Sequence, residues 1–182
     1  TNYVLTVSDN SCSSSSNVTV NVNTPPTVTA SNSGPVCNGA VVNLTATGNS
    51  TSPVSYTFRL TDSFGDGWNG ATMEVRQGTS VIASLGSTFT TGTSLNVPVS
   101  LTPGVSYSLV YTGGGSWSSE VGIQVINNLG TTIHTTSAGT GVVGSTLYTF
   151  IPSSVFTYSW TGGNTLTSAN NTATPSTNTT YS

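Results

Sequence analysis

The sequence has no lysine and only two arginines, Arg59 and Arg76, among its 182 residues. Five acidic residues bring the net charge to −3, and charged side chains make up 4% of the chain, against roughly 25% in an average soluble domain. So few cations cannot neutralise a phosphate backbone, which excludes nucleic acid as a partner. Lys–Asn and Lys–Asp cross-links, one means by which extracellular stalks resist pulling, are excluded as well. Histidine occurs once and cysteine twice, too few for a zinc site. No run approaches the ~20 apolar residues that a membrane-spanning helix needs. No Gly-x-Ser-x-Gly elbow occurs. The one histidine, His134, sits in Thr132-Ile133-His134-Thr135 with no acid or nucleophile nearby in sequence, and reads as a strand residue. Asp66 with Glu120 can be imagined as a glycosidase pair, but nothing in the sequence fixes their separation. The expectation is that the chain is not an enzyme.

Serine, threonine, asparagine and glycine saturate the chain and must carry its solubility. Disorder would require few aromatic and β-branched residues, yet Val, Ile, Thr, Tyr, Phe and Trp recur in short alternating runs. Period-2 alternation bounded by Gly, Pro, Asn and Ser predicts strands at Tyr3–Val7, Asn17–Val22, Val41–Ala46, Ser55–Thr61, Ala71–Gln77 and Ser80–Ser84. Further strands are predicted at Ser94–Val99, Ser106–Tyr111, Glu120–Ile126, Thr131–Thr135, Leu147–Ile151 and Phe156–Trp160. No stretch has a helical period with caps. The fold class is therefore all-β, built as β-sandwiches.

Thr24-Pro25-Pro26 stiffens the chain and marks a boundary. Residues 1–23 read as the last strands of a preceding module. Residues 24–54 and 154–182 are nearly free of charge, whereas 55–153 hold four of the five acids and both arginines. The division points to a β-sandwich module at 55–153 inserted into a discontinuous repeat, 24–54 with 154–182; one continuous large sandwich is the alternative. The closing Asn178-Thr179-Thr180-Tyr181-Ser182 echoes the opening Thr1-Asn2-Tyr3-Val4. With no initiator Met and a strand-like run at Thr1, the chain is expected to be a window on a longer tandem array.

The flanking segments resemble the immunoglobulin-like tandem repeats of Bacteroidetes surface proteins, including gliding-motility adhesins exported by the type 9 secretion route. The resemblance rests on Tyr3-Val4-Leu5-Thr6-Val7-Ser8-Asp9-Asn10-Ser11-Cys12 and Gly34-Pro35-Val36-Cys37-Asn38-Gly39. It continues in Val42-Asn43-Leu44-Thr45-Ala46-Thr47-Gly48, Tyr158-Ser159-Trp160-Thr161-Gly162-Gly163 and Asn178-Thr179-Thr180-Tyr181. Together these cover under half of the chain. The block between them departs from the repeat pattern. It carries Asp62-Ser63-Phe64-Gly65-Asp66-Gly67-Trp68-Asn69-Gly70, similar to an Asp-x-aromatic-Gly-Asp-Gly-Trp-Asn-Gly module of secreted proteins from the same bacteria. That likeness implies a jelly-roll-like β-sandwich without catalysis, and Trp160 resembles the core tryptophan of an immunoglobulin-like strand.

Asp62, Asp66 and Asn69 cluster on a glycine-rich turn, and Glu120 could add a carboxylate from another strand. Hard oxygens so gathered suit Ca²⁺, which takes 6–8 of them. The alternative is a metal-free turn whose Asp side chains bond neighbouring amides. Glu74 reads as solvent-facing, near Arg76 or Arg59. Trp68, Trp117 and Tyr111 flank polar glycine-rich loops and are candidates for stacking on a sugar; the alternative is that they are core or rim residues. Cys12 and Cys37 are disulfide candidates, pairing with each other across the Pro25-Pro26 junction or each with a residue outside this window.

The functional expectation is a stalk or filament segment of an extracellular, cell-surface adhesin. Its partners would be surface glycans, a host or substratum surface, and neighbouring repeats of the same chain. A carbohydrate-binding accessory region of a secreted polysaccharide hydrolase, and a structural subunit of an extracellular polymer, are the alternatives.

Overall fold

A computed structural model describes residues 2–20 and 22–182. The described chain is all-β, with thirteen strands in antiparallel sheets and no helix among the described residues. Accordingly, none of the described residues form a helix long and apolar enough to cross a membrane.

Strands β1 (Asn2–Ser8) and β2 (Ser13–Thr19) form a hairpin with both faces exposed. Its register is set at the turn. Asp9 Oδ1 accepts the amide hydrogens of Ser11 (2.8 Å) and Cys12 (2.7 Å). This pulls Ser13–Ser16 into the ladder, where alternation alone places the strand at Asn17–Val22.

Strand β3 (Thr27–Asn32) pairs with β4 (Val42–Asn49), which also pairs with the short β13 (Asn170–Ala173). Val42, Leu44, Ala46, Ala173 and Trp160 form the core of this small sheet, with Tyr158 and Tyr181 packed against it. The segment Phe156–Trp160, expected as a strand, joins no ladder. It is held by its side chains instead. Phe156 covers Gly48, where a Cβ would lie 2.8 Å from the ring, and the Trp160 indole donates to the Ser168 carbonyl at 2.8 Å. Buried Asn171 organises the facing loop, accepting from the Thr165 and Thr172 amides and donating to the Gly162 carbonyl.

The remaining eight strands are β5 (Val54–Asp62), β6 (Ala71–Gln77), β7 (Ser80–Leu85), β8 (Ser94–Leu101), β9 (Tyr107–Gly114), β10 (Val121–Ile126), β11 (Thr132–Thr136) and β12 (Thr146–Phe150). They make two four-stranded sheets, ordered β11-β10-β5-β8 and β12-β9-β6-β7. Only β6–β7 and β10–β11 join neighbours in one sheet. Every other connection passes between the sheets, as in a double-sheet jelly roll rather than a meander. The inward positions alternate as the pleat requires: Tyr56, Phe58 and Leu60 on β5, Met73 and Val75 on β6, Tyr107, Leu109 and Tyr111 on β9, Ile123 and Val125 on β10. Together they form one continuous core. At one side of the sandwich a run of rings links the sheets. His134 on β11 stacks on Tyr148 of β12 (4.4 Å), Tyr148 on Phe150 (5.6 Å), and Phe150 on Tyr56 of β5 (5.6 Å). The chain therefore enters at Tyr56 and leaves at Phe150 side by side, and the Tyr56 hydroxyl meets the Ser153 backbone.

Truncation of a ring at the centre of this core, Phe58→Ala, is expected to cost about 3–5 kcal/mol. Val28→Ala on the exposed β3 should stay within about 0.5 kcal/mol. Chemical denaturation of the two variants measures both; equal losses would contradict the placement of the core.

Candidate metal centre

The alternation that buries Tyr56, Phe58 and Leu60 does not stop at the end of the apolar run. The next inward position on β5 is Asp62, only 4% exposed. Burial of a carboxylate is costly unless its oxygens are matched, and here they are matched unequally. Oδ2 accepts the amide hydrogens of Gly65 and of Asp66 (3.0 Å for the latter), closing the loop that follows the strand. Oδ1 is buried with no hydrogen-bond partner. The turn reading and the metal reading of this aspartate thus apply to different oxygens of the same group.

Glu120 arrives from 58 residues further along through the β5–β10 ladder. Val121 pairs with Asp62, and the Ser63 amide donates to the Glu120 carbonyl at 3.1 Å. One carboxylate oxygen each from Asp62, Asp66 and Glu120 lies within 4.8 Å of the other two. Glu120 Oε2 is likewise buried without a partner. No salt bridge reaches these acids among the described residues, whereas Glu74 is paired with Arg76 at 2.6 Å. Desolvation, then the charges of Asp62 and Asp66, push the Glu120 carboxyl above its ordinary range.

Asn69 stands one step back. Its Nδ2 donates to Asp66 Oδ1 (2.8 Å) and to the Gly67 carbonyl (3.2 Å), so it steadies the Asp66 carboxylate instead of turning an oxygen towards the acids. The loop conformation demands glycine at Gly67. Its φ is +90°, and a Cβ would sit 2.6 Å from the Phe89 carbonyl oxygen, a steric conflict only glycine avoids.

Trp68 and Tyr111 require correction as sugar-stacking residues. Each is 1% exposed, so neither ring has a free face. Trp68 plugs the end of the sandwich beneath the loop: its indole donates to the Thr61 carbonyl at 2.9 Å, its ring meets Phe89, and its amide bonds the Phe89 carbonyl. Tyr111 continues the inward series of β9, and burial raises the pKa of its hydroxyl. Trp117 is 57% exposed, and its carbonyl accepts the Glu120 amide hydrogen at 3.0 Å. Phe64, which alternation gave no reason to single out, is 76% exposed between Asp62 and Asp66. A large apolar residue inside a Gly/Asp loop was the available signal. The loops of Asn69 and Trp117 are tied by the Ser116 amide, which bonds the Asn69 carbonyl at 3.1 Å.

Cys12 and Cys37 are both free and exposed in this structure. His134 is stacked on Tyr148, with Nε2 2.9 Å from the Thr136 hydroxyl, and burial lowers its pKa. A groove of about 600 Å³ lies elsewhere, beside Val36, Val42, Leu44 and Tyr181 on the small sheet. Its lining holds no acid, histidine or cysteine. No protein-family model matches the chain, and neither a curated protein nor a solved structure gives a significant match.

In chelator, the raised Glu120 pKa fixes the sign of a pH dependence. Its contribution to stability is intact where the carboxyl is protonated in both states. As pH rises, the unfolded chain ionises first, so this contribution falls until the folded carboxyl has ionised as well. The chelated protein should therefore lose melting temperature upward from about pH 4, and Glu120→Gln should flatten that decline. A parallel decline in the variant would assign the effect to other groups.

Proposed function

We propose that the chain is a segment of the stalk or filament of a secreted, cell-surface adhesin, and that its eight-stranded sandwich is a module inserted into an immunoglobulin-like repeat and locked by a divalent cation, calcium. The observation that carries the cation reading is the convergence of Asp62, Asp66 and Glu120 with two buried carboxylate oxygens left unpartnered. A chain that holds only five acids gathers three of them at one point, with no cationic side chain or terminus bridging them among the described residues. A bound metal ion would remove that repulsion.

The donor chemistry favours calcium. No histidine or cysteine belongs to the cluster, which speaks against zinc and the later transition metals. Three carboxylates with room for loop carbonyls and water suit the flexible, oxygen-only coordination of Ca²⁺ better than the strict octahedron of Mg²⁺. The adhesin reading is supported by composition and organisation. The strands fall into a hairpin, a small sheet and an eight-stranded sandwich that interrupts that sheet in sequence, solubility rests on uncharged polar side chains, and the only histidine is engaged in a ring stack.

Calcium at about a hundredfold excess over its dissociation constant should stabilise the fold by about 2.7 kcal/mol, read as a rise in melting temperature over the chelated protein. Asp66→Asn, at an exposed ligand position, should abolish most of that rise and leave the chelated melting temperature unchanged or higher. Identical melting curves of the unmodified chain in calcium and in chelator would overturn the cation reading.

A further inference from the structure

Two exposed aromatic residues lie on the loops that carry the acids. Phe64 follows Asp62 by two residues, and Trp117 is bound through its carbonyl to the Glu120 amide. Both rings are mostly in solvent, in a molecule that buries almost every other large aromatic of the sandwich. Leaving such a ring exposed forgoes about 1.5–3 kcal/mol of burial. Two of them lie on the loops that carry the acids.

The three carboxylates by themselves do not complete the shell of a calcium ion. Asp62 Oδ2 already accepts two amide hydrogens, and Asp66 Oδ1 accepts the Asn69 amide. The three carboxylates therefore cannot all offer both oxygens freely, and Ca²⁺ takes 6–8 oxygens. Asp66 is exposed, so the open positions face solvent.

Resting on the cation reading above, we propose that this site binds a neutral glycan. Two vicinal hydroxyls of one sugar ring complete the cation's coordination, and the C–H faces of the glycan rest on Phe64 and Trp117. A neutral polyol answers both halves of the site, the hard-oxygen vacancy and the apolar rings. A basic peptide would answer only the carboxylates. It would compete with the cation, so chelation would strengthen its binding and weaken that of a glycan. The sign of the chelator effect therefore separates the two ligand classes.

The test uses the full chain and a variant carrying both Phe64→Ala and Trp117→Ala. These residues are exposed, so the variant should fold and take up calcium with unchanged affinity by titration calorimetry. The probe is an array of neutral oligosaccharides, screened in calcium and again in chelator. The expected result is calcium-dependent retention on the array that chelator removes and that the double variant weakens about tenfold or more. Absence of retention by the calcium-loaded chain, retention that survives or grows in chelator, or equal retention by the variant would each overturn the proposal. Failure of the unmodified chain to take up calcium in the calorimeter would instead bring down the cation reading first, and this one with it.

Discussion

The pairing register of β5 with β10 governs everything distinctive in this molecule. It aligns Leu60 with Ile123 and Phe58 with Val125 in the core, and by the same count sets Asp62 beside Val121 and hence beside Glu120. A one-residue slip would turn every one of those side chains to the opposite face. The apolar side chains are what hold the register, and the acidic site is a consequence of it. Core and site are thus a single stretch of ladder, apolar along its length and charged at its end.

That arrangement explains why the fold was largely legible. Alternation in Ser55–Thr61, Ala71–Gln77 and Ser94–Val99 is strong because each strand has one face towards the core, and these strands lie where the pattern puts them, the second with the same bounds and the other two extended by one or two residues. Legibility fades where burial is shallow. Strand β3 is exposed at every position, and β13 is four residues long with Asn171 and Ala173 as its buried positions, so neither carries an apolar alternation for the pattern to mark. The reverse error at Phe156–Trp160 has a related cause: its alternating aromatics are real packing residues, but their backbone finds no ladder partner.

The site was legible through scarcity. Acids are so few here that Asp62, Asp66 and Glu120 stood out, and the structure brings those three together across a long stretch of sequence. The aromatic residues were harder. Tyr111 could have been placed in the core by counting from Tyr107 and Leu109. Trp68 could not, because it lies in an irregular loop, and only the packing of 62–70 against 86–93 shows that its ring points down. Gly86 records that contact from the other side: a Cβ there would lie 2.6 Å from the indole. The exposed rings are Trp117, which was singled out, and Phe64, which was not.

The side-by-side path of the chain at Tyr56 and Phe150 has a mechanical consequence. Tension along the polypeptide enters the sandwich through β5 and leaves through β12, which belong to different sheets but meet at one stacked pair of rings. The pull is applied across that contact, and the first structure to feel it is the seam between the sheets at that end. Asp62 lies at the far end of β5, six residues beyond Tyr56 and about 20 Å away at the rise of an extended strand. The loops around Asp62 and Glu120 thus sit off the line of force, and a ligand held there would stay in a relaxed site while the chain on either side is under strain.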